Sequence, residues 1–163
     1  MVRVRADVER KRLFGLEPEA ASTAIPGGIY TEAASDQTFA RLLDVARTAL
    51  QAGQPVLVDA TFIHRERRAP FIDLARQLGL LWCMLAFHAP EEVLRQRVRQ
   101  RQASGTDASE AGEAVLMHQL AHIDPFTVDE QTHSLHLDTT HAVDWSTAWP
   151  QLHSMLGLAA QQN

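Results

Sequence analysis

The chain has 163 residues, 15 Lys plus Arg against 20 Asp plus Glu, a net charge of −5 and 45% hydrophobic residues, which predicts one domain spanning 1–163 with a real core. A negative chain with 6% aromatic residues lacks the basic, stacking surface of a general nucleic-acid binder, so no nucleic-acid partner is expected. The chain has one cysteine, Cys83, which excludes internal disulfides and favours a reducing compartment, so we expect a cytoplasmic protein. The longest apolar run, 80–87, is far shorter than the ~18 residues of a membrane span, so we expect no membrane partner.

Strand and helix patterns alternate along the first part of the chain. Val and Arg alternate over 2–5, which predicts a short strand, and VERKRLFG at 8–15 predicts a helix that ends at its glycine. Residues 17–30 are rich in Pro and Gly and predict a loop. Apolar residues at helical spacing predict a helix over 39–50, and PVLVDA at 55–60 predicts the next strand.

The same alternation continues to the end of the chain. In chain order, the remaining predicted elements are a helix at 71–78, a strand at 80–87, a helix after Pro90, a short helix at 110–122, a strand at 134–138 and a helix at 145–156. The 80–87 run is apolar throughout, which is typical of a strand buried on both faces of a parallel sheet. Repeated βα units predict an α/β fold with a three-layer architecture, in which helices flank a largely parallel sheet.

Two carboxylates come directly after predicted strands. Asp59 ends the strand at 55–60, and Asp7 follows the first strand. Ligands bind at the carboxyl ends of parallel strands, where a carboxylate can hold a metal ion or orient a nucleophile. The alternatives are that Asp59 caps a turn and that Asp7 is a helix N-cap, and both stay open at this point.

The predicted helix after residue 90 carries four arginines: Arg95, Arg97, Arg99 and Arg101. At about 100° per residue, Arg97 and Arg101 share the inward face with the apolar positions, whereas Arg95 and Arg99 point away. A half-buried guanidinium needs an anionic partner, and its fork suits a phosphate. A solvated face on which only the aliphatic stems pack is the alternative.

Two histidines at i and i+4, His118 and His122, have a spacing that can place two imidazoles on one helix face. His133, His136 or Asp124 could complete a metal site, but nothing in their spacing demands one. Solvent-facing histidines are therefore the favoured interpretation.

Three stretches together resemble one family. RADVERKRLFGL, VLVDATFIHRERR and APEEVLRQRVRQRQASGTDASEA are similar to the small P-loop kinases of the gluconate kinase and zeta-toxin type, which have an AAA-type ATP-binding domain. The resemblance covers residues 2–139, nearly the whole chain. It implies a P-loop NTPase-like fold, ATP and Mg²⁺ as cofactors, and phosphoryl transfer to a small hydroxylated substrate.

The resemblance also implies roles for residues on the substrate and metal side. Asp7 and Arg10 resemble the family's substrate-side Asp and Arg, with Asp7 as the base for the acceptor hydroxyl. Asp59 resembles the Walker B acidic residue, which acts through magnesium.

On the nucleotide side, Arg97 and Arg101 resemble the lid arginines that close over the transferring phosphoryl group. They are thereby implied both in catalysis and in cofactor binding. The lid itself is expected around 97–110. The stretch LHLDTT, which contains Asp138, resembles the last strand and the adenine-side loop, so Asp138 is implied in cofactor binding.

One family feature does not occur in the sequence. The phosphate loop GxxxxGK[ST] is absent from the 163 residues, and Lys11, the only lysine, is followed by Arg. In the family this loop follows the first strand, so the resemblance implies a fold without the first βα unit, either as a piece of a longer protein or as a natural remnant. We expect the chain alone to be inactive as a kinase. The alternative is a non-catalytic remnant that binds an anion, a nucleotide or a partner chain.

The absent strand has a consequence for assembly. In the family it lies between the strands that match 55–59 and 81–87. Unpaired strand edges are costly when buried and prone to association when exposed. We expect these two strands either to pair directly or to receive a strand from another chain, most simply in a homodimer.

Overall fold

The computed structural model describes residues 1–22, 25, 28–104, 108–109 and 111–158. Within these ranges the elements are β1 (Val2–Arg5), α1 (Ala6–Leu13), α2 (Glu32–Gln51), β2 (Val56–Asp59), α3 (Arg65–Gln77), β3 (Met84–His88), α4 (Glu91–Ser104), α5 (Glu113–Ala121), α6 (Val128–Thr132), β4 (Ser134–Asp138) and α7 (Trp145–Met155). The lid predicted at 97–110 lies partly outside the described residues. None of the described helices is both long and apolar enough to cross a membrane.

The strands pair in parallel, in two sheets of two strands each. β1 pairs with β2, which places Arg5 opposite Asp59, and β3 pairs with β4, which places His88 opposite Asp138. The predicted α/β fold with parallel strands is confirmed. The expected single sheet, however, is two separate sheets in the described part of the chain. Direct pairing of β2 with β3, one of the two expected alternatives, does not occur among the described residues, where β2 pairs only with β1 and β3 only with β4.

Helix α2 packs on the β1–β2 sheet. Its first turn is capped by Thr31, whose hydroxyl accepts the N–H of Ala34 at 3.1 Å, and it ends before Gly53, whose φ is 74°. Leu42 on its inward face is fully buried and forms a core cluster with Val4. The helix begins seven residues before the predicted start at 39, because its first two turns are fixed by the cap and carry no apolar periodicity.

Helix α7 packs on the β3–β4 sheet. Leu135 and Leu137 of β4 form a second core cluster with Leu152 of α7. The 80–87 run was expected to be one strand buried on both faces, but β3 begins only at Met84 and Phe87 is 57% exposed. This expectation was wrong because, among the described elements, α7 is the helix that packs on the β3–β4 sheet, so the faces of β3 are only partly covered.

The elements pack in three units. Helices α1, α2 and α3 pack with the β1–β2 sheet, α7 packs with the β3–β4 sheet, and α4 packs with α5 as a helical hairpin. The short helix α6 was not predicted from the sequence. It precedes β4 directly and begins with a capping box formed by Thr127 and Glu130.

Candidate functional site

A cavity of about 1130 Å³ lies between the first of these units and the α4–α5 hairpin. Five of the six residues assigned to a site from the sequence line it: Asp7, Arg10, Asp59, Arg97 and Arg101. They come from α1, from the carboxyl end of β2 and from α4. The structure therefore brings together acidic and basic groups that are up to 94 positions apart, from Asp7 to Arg101, in the sequence.

Helix α1 carries Asp7 and Arg10 to the cavity wall, because β1 continues directly into it. Arg10 is only 8% exposed, and its Nη1 donates to the carbonyl of Ile29 at 3.0 Å and to Oγ of Ser35 at 3.3 Å. Its Nε is buried and has no hydrogen-bond partner among the described residues. Burial, above all, lowers the pKa of Arg10, while Tyr30 and Asp7 oppose this shift. A buried guanidinium with an unused donor is suited to an anionic ligand group.

Asp59 forms ion pairs with two arginines of β1. Its Oδ2 lies 2.5 Å from Nη2 of Arg3 and 3.9 Å from Nε of Arg5. Sequence reasoning did not identify these pairs. The pattern that could have revealed them is the alternation of Val and Arg in β1. Val2 and Val4 pack into the core, which leaves the arginines on the opposite face of the strand.

The donor set at Asp59 fits one magnesium ion shared with phosphates. Both arginine contacts reach Oδ2, and Oδ1 takes part in neither ion pair. No cluster of three or more His, Cys, Asp or Glu residues that could hold a metal occurs in the described part of the chain. Mg²⁺ in phosphoryl-transfer sites is typically held by one or two carboxylates and by the substrate phosphates, and Asp59 would be such a carboxylate ligand.

The arginines of α4 form two pairs that face in different directions. Arg95 and Arg99 both bind Glu113 of α5, with Nε of Arg99 at 3.0 Å from its Oε2. Hydrogen bonds from Arg99 and then Arg95 lower the pKa of Glu113. Arg97 and Arg101 line the cavity instead. The helical spacing predicted this separation.

The two cavity arginines of α4 differ in their burial. Arg97 was expected to be half-buried but is exposed, because it reaches across to Thr139 and donates to its hydroxyl at 3.0 Å and to its carbonyl. Arg101 is half-buried and donates to the carbonyl of Ala111 at 2.8 Å. Its Nε, like that of Arg10, is buried without a partner in the described ranges. Among the described residues, the cavity wall thus carries two buried Nε donors without a hydrogen-bond partner, one of Arg10 and one of Arg101.

Asp138, the sixth residue assigned from the sequence, lies outside this cavity. It ends β4, where its Oδ1 accepts the backbone N–H of Thr140 at 2.7 Å and the hydroxyl of the same residue at 2.6 Å. These bonds lower the pKa of Asp138. It lines a separate cavity of about 180 Å³ between β4 and α7, beside Asp144.

Arg67 and His118 are among the cavity residues that were not assigned to this site from the sequence. The guanidinium of Arg67, in the first turn of α3, lies 5.2 Å from the ring centroid of Phe39 and also binds Asp36. The only available signal was its place shortly after Asp59 in the sequence. His118 lines the cavity as well, and its ring stacks on His122 with centroids 4.2 Å apart.

Comparisons with known proteins identify the family and the fold of the chain. A family described as an AAA domain matches residues 1–126. Among solved structures, the chain is similar to a sugar kinase from Janibacter sp. HTCC2649, determined without ligand, with 18% identity and a TM-score of 0.64 over 98% of this chain and 81% of that one. No curated protein matches the chain. The predicted resemblance to the P-loop small-molecule kinases is confirmed: the chain belongs to the AAA domain family and has the P-loop kinase fold.

Proposed function

We propose that the large cavity is the phosphoryl-transfer site of a kinase that uses ATP and Mg²⁺ and acts on a small hydroxylated substrate. The convergence of Asp7 and Asp59 with Arg10, Arg97 and Arg101 on one cavity carries this proposal. Phosphoryl transfer is catalysed mainly by positioning and by stabilisation of negative charge, and these residue types supply both.

On the nucleotide side, Arg101 and Arg97 bind the transferring phosphoryl group. The buried, unused Nε of Arg101 supports this role, because a guanidinium binds phosphate through several parallel N–H groups. Arg97 already spans the distance between α4 and the end of β4, where it donates to Thr139. To bind a phosphate it exchanges these contacts for stronger, charge-assisted ones.

Asp59 is the residue that would hold the metal ion. When bound there, Mg²⁺ neutralises negative charge on the nucleotide phosphates. Arg3 competes for the same carboxylate, since it binds Oδ2.

On the acceptor side, Asp7 accepts the proton of the substrate hydroxyl and Arg10 orients the substrate. The two residues lie one turn apart on α1, which places a base and a hydrogen-bond donor on the same wall. Ser35 and Glu32 line the cavity too and add groups that can hydrogen-bond hydroxyls.

The sequence contains no GxxxxGK[ST] loop, so we expect this chain by itself to bind ligand without turnover. A non-catalytic domain that binds an anion or a nucleotide in the same cavity is the second candidate, and the absent loop favours it. A protein in which a phosphate loop precedes this chain distinguishes the two: the kinase would turn over substrate, and the non-catalytic domain would not. We further propose a cytoplasmic location, which the single cysteine supports.

Calorimetric titration of ATP, and separately of inorganic phosphate, tests the proposal. The variant Arg97→Ala with Arg101→Ala is expected to bind at least about tenfold more weakly, because charge-assisted hydrogen bonds contribute about 1.5–3 kcal/mol each. Arg95→Ala with Arg99→Ala is the matched control on the same helix, and its affinity is expected to change by less than about threefold. Equal losses from both pairs, or no loss from either, would contradict the assignment.

A further inference from the structure

Arg68 forms a buried junction between α3 and α6. It is 2% exposed, and its partner Glu130 is 3% exposed. Nε of Arg68 donates to Oε1 of Glu130 at 2.7 Å, and Nη2 donates to Oε2 at 3.3 Å. The pair is therefore bidentate and shielded from water.

The other donors of Arg68 hold backbone carbonyls. Nη1 donates to Phe62 and to Ile63, each at 3.1 Å, and Nη2 donates to Pro125 at 3.2 Å. With the two bonds to Glu130, these contacts engage all five N–H donors of a guanidinium. Arg68 thus ties the loop after β2 to the segment before α6.

Glu130 is fixed from its other side. Its Oε2 accepts the backbone N–H of Thr127 at 2.8 Å, and its own N–H donates to the hydroxyl of Thr127 at 3.2 Å. The carbonyl of Glu130 accepts the hydroxyl of Ser134, the first residue of β4, at 2.6 Å. We name Arg68, Glu130 and these hydrogen bonds the Arg68 clamp.

Asp124 adds a second, exposed connection between the same segments. Its N–H donates to the carbonyl of Ile63 at 2.9 Å. Its Oδ2 accepts the N–H of Arg65 at 2.8 Å. The backbone N–H groups of Asp124 and Arg65 therefore report directly on whether the two segments stay together.

The loop that the clamp holds is a wall of the large cavity. Ala60, Thr61, Ile63 and His64 line it, and Asp59 immediately precedes them. The loop and α3 belong to the unit of the β1–β2 sheet, whereas α6 leads into β4 of the other sheet. The clamp thus connects one wall of the cavity to the segment that leads into the β3–β4 sheet.

We propose that the Arg68 clamp is a positioning device, which sets the place of residues 60–64 and hence of Asp59 at the cavity. A buried ion pair is not required for stability as such, because well-packed apolar residues of similar volume often serve as well. The consequence for ATP binding rests on the proposed function. The consequence for the loop does not, so the two can be tested separately.

The variant Arg68→Lys keeps the charge and loses the five-donor fork. Arg76→Lys is the matched control: the same substitution on the same helix, at an exposed arginine that binds Asp129 of α6 at 2.6 Å. Native-state hydrogen exchange is expected to be at least about tenfold faster at the amides of Arg65 and Asp124 in Arg68→Lys, with residues 134–138 unchanged. Arg76→Lys is expected to exchange as the wild type does.

A third variant separates positioning from general destabilisation. Leu152→Ala opens the core under the β3–β4 sheet without touching the clamp. The proposal would be overturned if the amides of Arg65 and Asp124 exchanged as slowly in Arg68→Lys as in the wild type. It would also be overturned if Arg68→Lys accelerated exchange uniformly along the chain, as Leu152→Ala is expected to do. If Arg68→Lys does not fold, Glu130→Gln, which keeps the shape of the side chain, is measured in its place.

Titration of ATP provides the second readout. Arg68→Lys is expected to bind ATP at least about fivefold more weakly, and Leu152→Ala is expected to bind it as the wild type does. Faster loop exchange with unchanged ATP affinity would overturn the link between the clamp and the site. If the wild type binds no ATP, the proposed function fails, and the exchange data still decide whether the clamp holds the loop.

Discussion

Oδ2 of Asp59 accepts a hydrogen bond from Nη2 of Arg3 at 2.5 Å, so the carboxylate proposed to hold magnesium is already paired with a cation of the neighbouring strand. The parallel register of β1 and β2 produces this contact, because it places Arg5 opposite Asp59 with Arg3 on the same face. Metal binding at Asp59, as proposed, would therefore compete with an ion pair inside the chain.

Replacing Arg3 by glutamine is expected to strengthen Mg²⁺-dependent binding of ATP. The pair is exposed, so its contribution is no more than about 1 kcal/mol, which corresponds to about a fivefold change in affinity. Calorimetry with and without Mg²⁺ measures it, and Arg12→Gln, which removes an arginine paired with Glu9, is the control. Weaker Mg²⁺-dependent binding in Arg3→Gln would show that the arginine supports the metal site instead.

Glu130 predicts a dependence of stability on pH. Hydrogen bonds from Arg68 lower its pKa below the usual 4.5 in the folded state. Its stabilising effect is therefore present above the unfolded-state value and is lost as the pH falls through the lower folded-state value. Urea unfolding across acidic pH should show a steeper loss of stability in the wild type than in Glu130→Gln.

Glu130→Gln is also expected to be less stable than the wild type at neutral pH. Glu130→Gln leaves the buried Arg68 without its counter-ion, which is expected to lower the free energy of unfolding by about 3–5 kcal/mol. Glu92→Gln, on the exposed face of α4, is the control and should change it by less than about 0.5 kcal/mol. Parallel pH profiles for wild type and Glu130→Gln would refute the assignment of this effect to the buried pair.

The chain of 163 residues is expected to show negligible ATPase or kinase activity with Mg²⁺, because it contains no phosphate loop. A coupled assay of ATP consumption with a panel of polyols and sugars measures this. Turnover at the roughly 1–100 s⁻¹ typical of kinases, abolished by Asp59→Asn, would show that other groups replace the loop.

Strands β2 and β3 each have an edge at which a second copy of the chain could pair. Each strand has one neighbour within the described residues, and Phe87 near the end of β3 is 57% exposed. We propose that a second copy of the chain covers these edges. Light scattering should then give twice the monomer mass, with slow hydrogen exchange at 56–58 and 82–87. A stable monomer in which both segments exchange freely would contradict this.

Most helices and strands could be predicted from local patterns in the sequence. Alternation in 2–5 predicted β1, and helical spacing predicted α2 and the two faces of α4, because these signals depend on residues close in sequence. The start of α2 at Glu32 and the helix α6 escaped prediction, since capping rather than apolar periodicity defines them. The number of sheets also escaped it, because strand pairing depends on contacts between distant segments.

Part of the candidate site could also be predicted from patterns within single elements. Asp7 and Asp59 were identified by their positions after strands, and both line the cavity. Arg67 and the Arg68 clamp were missed because their significance lies in partners far along the chain, such as Glu130, 62 positions away from Arg68. No spacing rule within one element shows such a pair.

Titration of the isotope-labelled chain with MgATP, followed by two-dimensional NMR, tests the central claim most directly. The claim is that the cavity between the first unit and the α4–α5 hairpin binds the nucleotide phosphates. Saturable shifts are predicted at the amides of Asp7, Arg10, Asp59, Arg97 and Arg101, with residues 143–151 of the smaller cavity unaffected. Shifts confined to 143–151, or no saturable shift at all, would contradict the claim.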